Sequence, residues 1–296
     1  MLAPSAVITF VLCLVPDVAW AWGPVTHLVH GARILEEGTN LPEALQQLLQ
    51  GFRWAYLYGC VGADMIQIKR YSGSIYTHCH NWRIGWKVLH QARSPEQQAF
   101  AYGYLSHLAA DVYSHNYFLP IQLIASFPSR THRHVYWEAR FDAQLGTVNR
   151  RLLRDVILRR PLDCDELVER VVERTLFSFR THKRIFRAFV ALQHLERWQE
   201  VLRHFTARSR FRLPDREIER YNRLCVESIR DLLEHGEQAI ALHHDPNGHE
   251  SLEQARQVRR KLRTLRRRGV AIEELRRRYV DLFTGARNTG EVPEVS

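Results

Sequence analysis

The sequence predicts an all-α protein on three observations. Apolar residues recur at three-and-four spacing nearly throughout. Strand-like alternation bounded by turn dipeptides is scarce. Helix start signals are well formed, with Ser94 ahead of Pro95, Glu96 and Gln97, and with Pro214-Asp215 opening another segment. A chain of 296 residues that is 45% hydrophobic buries a sizeable core unaided, in one or two domains.

The first element, MLAPSAVITFVLCLVPDVAWA over residues 1–21, reads as a signal peptide. Its apolar run of roughly a dozen residues is too short for a membrane span, and Ala19-Trp20-Ala21 has the small-x-small form of a cleavage site. Cleavage there makes Trp22 the first residue and predicts a secreted or periplasmic protein. No Lys or Arg precedes the run and Asp17 stands near the site, so an uncleaved anchor is the competing reading. Cys13 lacks the small residue before it that lipidation needs. Helices are then expected over 25–36, 42–58, 80–92, 95–118, 131–155, 163–178, 181–206, 214–242 and 250–283. Breaks fall at Phe127-Pro128-Ser129 and Asp245-Pro246-Asn247-Gly248. In the last helix Val258, Leu262 and Leu265 share one face and the arginines the other, as in a solvated amphipathic helix. The resulting division is 1–21 signal peptide, 22–160 metal-binding helical core, 161–284 basic helical region packing on or extending it, and 285–296 disordered tail.

Net charge is +10, spread unevenly: residues 1–150 hold 11 Lys/Arg against 9 Asp/Glu, residues 151–296 hold 31 against 23. The basic half could face phosphates of lipid or nucleic acid, or simply be solvated. Cys60, Cys79, Cys164 and Cys225 are widely spaced, which specifies neither a disulfide framework nor a cysteine zinc site and leaves them as core residues.

The stretch AFAYGYLSHLAADVYSHNYF, residues 99–118, carries His107, Asp111 and His115 at steps of four inside an apolar run. Residues four apart on a helix differ by about 40° in direction, so the three form one stripe. Imidazole and carboxylate are the usual zinc ligands where cysteine is not used, and burying them uncompensated is costly. A single histidine here reads as a hydrogen-bonded core residue; this trio, flanked by Leu108, Ala109 and Ala110, reads as metal ligands. Further donors surround it. His134 and Glu138 stand at i and i+4, Asp64 is isolated in GCVGADMIQ, YTHCHNW supplies His78 and His80, and His27 follows Trp22 closely enough for a cleaved α-amine to lie near an imidazole. That inventory exceeds one ion.

In this order of residues the chain resembles the zinc-dependent phospholipases C and the related zinc nucleases of single-stranded nucleic acid, over residues 22 to 142. The resemblance implies a multi-helix phospholipase C-like bundle, here with additional C-terminal helices, and up to three zinc ions. By position, Trp22 and His27 would hold one ion. Asp64, His78 or His80, and His107 would hold a second, with Asp111 bridging the two; His115, His134 and Glu138 would hold the third. His78 followed by Asn81 is similar to a family histidine with a carboxylate three residues on, whereas Trp82 after His80-Asn81 favours an inward-facing His80. The best-known members place five residues between the bridging aspartate and the next histidine; here three separate Asp111 from His115, which keeps His115 on the same helix face.

The implied activity is phosphodiester hydrolysis, phospholipase C-type cleavage of phospholipid by a metal-activated water, with Asp64 the catalytic residue that orients or deprotonates it. A lipid substrate asks for an apolar face beside the cleft, and Tyr113, Tyr117, Phe118, Leu119 and Ile121 supply one unless they are core. No β-rich lipid-docking module is evident after residue 150. The alternatives are a zinc nuclease, which needs an aromatic platform and a basic track, and a non-catalytic helical binding protein whose zinc is structural. His235, His243, His244 and His249, around the Pro-Asn-Gly turn, read as a surface loop, His132 as exposed, and Trp82, Trp86 and Trp137 as core. Partners are therefore a phospholipid or other phosphodiester, a membrane surface, or nucleic acid; the sequence carries no sign of oligomeric state.

Overall fold

A computed structural model of the chain describes residues 22–37, 41–65, 79–129, 134–159, 161–171, 179–193 and 213–289, with 200, 209 and 211 between them. Residues 1–21, His78, His132 and the tail from 290 lie outside the described residues. Among the described residues there is no strand. The elements are α1 (Pro24–Glu37), α2 (Glu43–Gly51), α3 (Arg53–Gly59), a 3₁₀ turn (Ala63–Met65), α4 (Trp82–His90), α5 (Pro95–Tyr113), a π turn (Ser114–Phe118) and α6 (Leu119–Ala125). They continue with α7 (His134–Gln144), α8 (Gly146–Arg159), α9 (Leu162–Val171), α10 (Phe179–Gln193), α11 (Asp215–His235), α12 (His249–Arg267) and α13 (Glu273–Thr289).

α5 is the spine. Its side chains are small or apolar almost all round, and a helix apolar on every side is buried on every side; α3, α4 and α11 enclose it. Its start is the one the sequence announces, with the Ser94 hydroxyl accepting from Gln97 N–H and Pro95 in the first turn. Three expected helices are each broken in two. Phe52 leaves helical geometry between α2 and α3, and the left-handed glycines Gly146 and Gly269, with φ of 81° and 78°, open the α7–α8 and α12–α13 corners. The expected disorder from Gly285 is corrected as far as Thr289, because burial of Phe283 and Ala286 keeps the last turns of α13 helical.

One core runs from Trp22 to Leu252 and is continuous across residue 160, since Leu153 and Val156 belong to the same cluster as Leu167, Val168 and Ile229. A second, smaller core lies where α6 meets α12 and α13, around Ile124, Phe127, Val258, Leu262 and Phe283. The face expected at Tyr117, Phe118, Leu119 and Ile121 for interfacial adsorption is buried in these two cores instead, with Tyr113 half-buried against the first. No helix of the described residues is long and apolar enough to cross a membrane.

Candidate metal centre

The site begins at a helix crossing. Where α3 meets α5, a Cβ on Gly59 would stand 2.0 Å from the Phe100 carbonyl oxygen, and one on Gly103 2.0 Å from that of Tyr56. With glycine at both positions the backbones touch, and the Cys60 carbonyl comes 2.9 Å from His107 Nδ1. A carbonyl only accepts, so Nδ1 carries a proton and Nε2 is the ring nitrogen that faces the site. The 3₁₀ turn that follows α3 aims Asp64 at the same point. Its Oδ1 lies 3.2 Å from His80 Nε2 and 3.8 Å from His107 Nε2.

Asp111 stands one turn after His107 and divides its oxygens. Oδ1 is 3.1 Å from His27 Nε2, while Oδ2 is 3.2 Å from His107 Nε2 and 3.6 Å from His80 Nε2. The His27 and His107 rings stack at 3.7 Å. Donor atoms of His27, Asp64 and His107 all lie within 4.8 Å of one another, as do those of His80, His107 and Asp111. Asp111 thus reaches His27 with one oxygen and His107 and His80 with the other, and His107 is common to both trios.

The donors fit a zinc ion. His27 Nε2, Asp64 Oδ2, His107 Nε2 and both oxygens of Asp111 are buried without a hydrogen bond, a state that costs about 1–3 kcal/mol per atom unless something else satisfies it. Nitrogen and carboxylate oxygen are what zinc takes in the absence of thiolate. Electrostatics agree. Burial pushes the Asp64 carboxyl up against the pull of His107 and His27. Burial also opposes charge on His107, yet Asp111 and Asp64 outweigh it and carry the imidazole up to about 9. Asp111 is held well below the usual carboxylate range, since His107 and His27 overcome its burial. His27 itself is lowered by burial and by the charge of His107. Glu138 is pushed well above its ordinary value by burial and by Asp64, Asp111 and Asp142. Four buried carboxylates, Asp64, Asp111, Glu138 and Asp142, thus feel one another across the site.

The regular α-helix that links His107 to Asp111 ends at Tyr113. At Ser114 the helix widens into the π turn, which carries His115. What holds it is the segment read as a surface loop. Pro246, Asn247 and Gly248 are buried, and the Pro246 carbonyl accepts from His115 Nδ1 at 2.5 Å. The Asn247 amide donates to the His80 carbonyl at 2.5 Å, the Asn116 amide to the Asp245 carbonyl at 2.9 Å, and the Ser251 hydroxyl to Asn116 Oδ1. One turn therefore braces both His80 and His115. His243, His244 and His249 keep to its rim, each at least partly exposed.

Trp22 is fully buried, its indole donating to the Ala110 carbonyl at 3.2 Å and its ring against Phe118 and Phe141. Glu138 is buried on α7; His134 opens that helix, and its side chain is not among those described. One residue without any motif completes the frame. Asp142, a turn beyond Glu138, accepts from Val25 N–H at 3.3 Å, Thr26 N–H at 2.8 Å and the Thr26 hydroxyl at 2.7 Å. It thereby caps α1 and fixes the turn that presents His27. Burial lifts its carboxyl to about 6, against the Thr26 hydrogen bonds. Only the i+4 spacing from Glu138, which puts both on one face of α7, hinted at it in the sequence.

A sequence model of the zinc-dependent phospholipase C family matches residues 26–188. No curated protein and no solved structure matches the chain.

Proposed function

The chain belongs to the zinc-dependent phospholipase C family, and on that premise we propose that it cleaves the glycerol–phosphate ester of a phospholipid. The observation that carries this reading is the convergence of His27, Asp64, His80, His107 and Asp111 with five buried donor atoms lacking hydrogen bonds. In the proposed assignment Trp22 and His27 hold one zinc, Asp64, His80 and His107 a second, and Asp111 reaches both. His115, His134 and Glu138 hold a third; His78 is the alternative to His80. Removal of residues 1–21 during export to a secreted or periplasmic location would free the Trp22 amine.

When bound, zinc polarises the phosphoryl oxygens and makes a bound water acidic near neutral pH. The chain supplies the rest. His107 is oriented by the Cys60 carbonyl and His115 by the Pro246 carbonyl. Asp64 Oδ1 lies 3.2 Å from His80 Nε2, and Oδ2 has no hydrogen bond. In this reading Oδ2 would take the proton of the attacking water, and a carboxyl raised by burial is a better base than a solvated one. The proton must then reach the departing glycerol oxygen, giving diacylglycerol and a phosphorylated headgroup.

The test is Asp64→Asn in processed protein, read by phosphatidylcholine hydrolysis, with single-stranded DNA as the competing substrate and elemental zinc per chain. Turnover on lipid should fall by about a hundredfold or more, the range of a lost general base, with the fold retained and wild-type zinc near three. Full activity in folded Asp64→Asn protein removes that role. Wild-type zinc near zero or one with no hydrolysis removes the phospholipase reading.

A further inference from the structure

The catalytic reading leaves the α12–α13 hairpin without a task. Between Glu253 and Glu273 the chain carries eight Lys/Arg and no acid. Some of these cations serve the fold: Arg256 and Arg260 pair with Glu253, and Arg259 donates to the carbonyls of Leu123 and Ser129. Lys261 lies over the Tyr279 ring. Arg263, Arg266, Arg267 and Arg268 form no ion pair or side-chain hydrogen bond among the described residues, and all four are exposed. Three of them are not dispersed. Arg263, Arg266 and Arg267 gather with Phe127 and Pro128 around a pocket of about 310 Å³. A neighbouring pocket of about 810 Å³ shares Phe127, Pro128 and Arg266 and extends over Val270 and Ile272 to Arg276. Val270, 48% exposed, stands at the tip of the hairpin two residues after Arg268.

We propose that this hairpin seats the protein on an anionic phospholipid surface, with Arg263, Arg266 and Arg267 binding a lipid phosphate above the apolar floor of Phe127 and Pro128. Three guanidinium groups without carboxylates repel one another unless an anion lies among them, and a phosphate accepts their planar donors well. The apolar floor and the exposed Val270 match the layer beneath the phosphates of a bilayer. A nucleic-acid track would instead need exposed aromatic rings between the cations, and here Phe127, Tyr279 and Phe283 are buried. α12 and α13 rest on α6, which follows directly on the π turn bearing His115, so the seat and the metal centre share one continuous element. The inference rests on the phospholipid reading for its choice of partner.

The experiment is co-sedimentation of the whole zinc-chelated protein with vesicles of phosphatidylcholine alone or with phosphatidylglycerol added, at low and high salt. Binding is expected on the anionic vesicles and should weaken with salt. The variant Arg263→Gln/Arg266→Gln/Arg267→Gln should bind about a hundredfold more weakly, from about a fivefold loss per basic residue at such a surface. The control Arg151→Gln/Arg216→Gln/Arg223→Gln removes equal charge from exposed positions elsewhere and should bind as the parent does. Equal losses in the two triple variants, parental binding by the first, equal binding to both vesicle types, or displacement by single-stranded DNA would overturn the proposal. Hydrolysis of monomeric short-chain phosphatidylcholine, measured separately on the zinc-loaded parent, keeps the two readings apart: failed docking with intact hydrolysis refutes the seat alone, and absent hydrolysis refutes the phospholipase reading.

Discussion

Replacing Gly248 by alanine tests whether the Asp245–Gly248 turn braces the metal centre. Gly248 has φ of 56°, and a Cβ there would stand 2.4 Å from the His115 carbonyl oxygen, 2.5 Å from its carbonyl carbon and 2.6 Å from its Cβ. Two of these are backbone atoms of the π turn, which cannot swing aside as a flexible side chain would. The left-handed conformation costs alanine about 1–2 kcal/mol, and overpacking adds about 1–3 kcal/mol. Gly269 separates the two effects. Its φ is 78°, and nothing lies within 4 Å of the Cβ it would gain, so Gly269→Ala should show the conformational cost alone. In metal-free protein, at roughly 2 °C per kcal/mol for a chain of this size, Gly248→Ala should lower Tm by about 4–10 °C. Gly269→Ala should lower it by about 2–4 °C. Zinc titration should then show weakened binding in Gly248→Ala and parental binding in Gly269→Ala. Equal melting losses and unchanged zinc binding in both variants would mean that the turn does not press on His115, and the bracing argument would fail.

Asp142→Ala should cost about 2–4 kcal/mol in urea unfolding, because it strips an N-terminal cap and leaves three donors near residues 25 and 26 without an acceptor. It should also weaken zinc binding through His27, and parental values in both assays would exclude the framing role. Acid should destabilise the metal-free protein in a window set by His30, whose imidazole is pulled down to about 3 by burial and by His27 while its Nε2 bonds Asn222 at 3.0 Å. The unfolded chain takes up this proton below about 6.5 and the folded chain only near 3, so the contribution is complete above 6.5 and is lost at up to about 1.4 kcal/mol per pH unit as pH falls. Tm followed from pH 7 to pH 4 should drop less steeply in His30→Leu, and identical slopes would remove His30 from the account.

Helical period and local chemistry determined much of this protein from the sequence alone. The all-α class follows from the apolar spacing, the start of α5 from Ser94 and Pro95, and the pairing of His107 with Asp111 from a step of four that any regular helix turns into neighbours. The order of donors from Trp22 to Glu138 was enough for the family resemblance. Tertiary structure decided which donors share a centre and what orients them. The contact of α3 with α5 depends on Gly59 meeting Gly103, 44 positions apart in sequence. The π turn that carries His115 has no signal in the spacing. His80 and His115 are braced by a turn more than 130 residues further along the chain, and His27 by Asp142, whose partners are backbone N–H groups as much as the Thr26 side chain. The physical reason is common to these cases. Periodicity reports which side chains share a face of one element, whereas backbone carbonyls and N–H groups are the same in every residue and become specific acceptors and donors only when packing aims them.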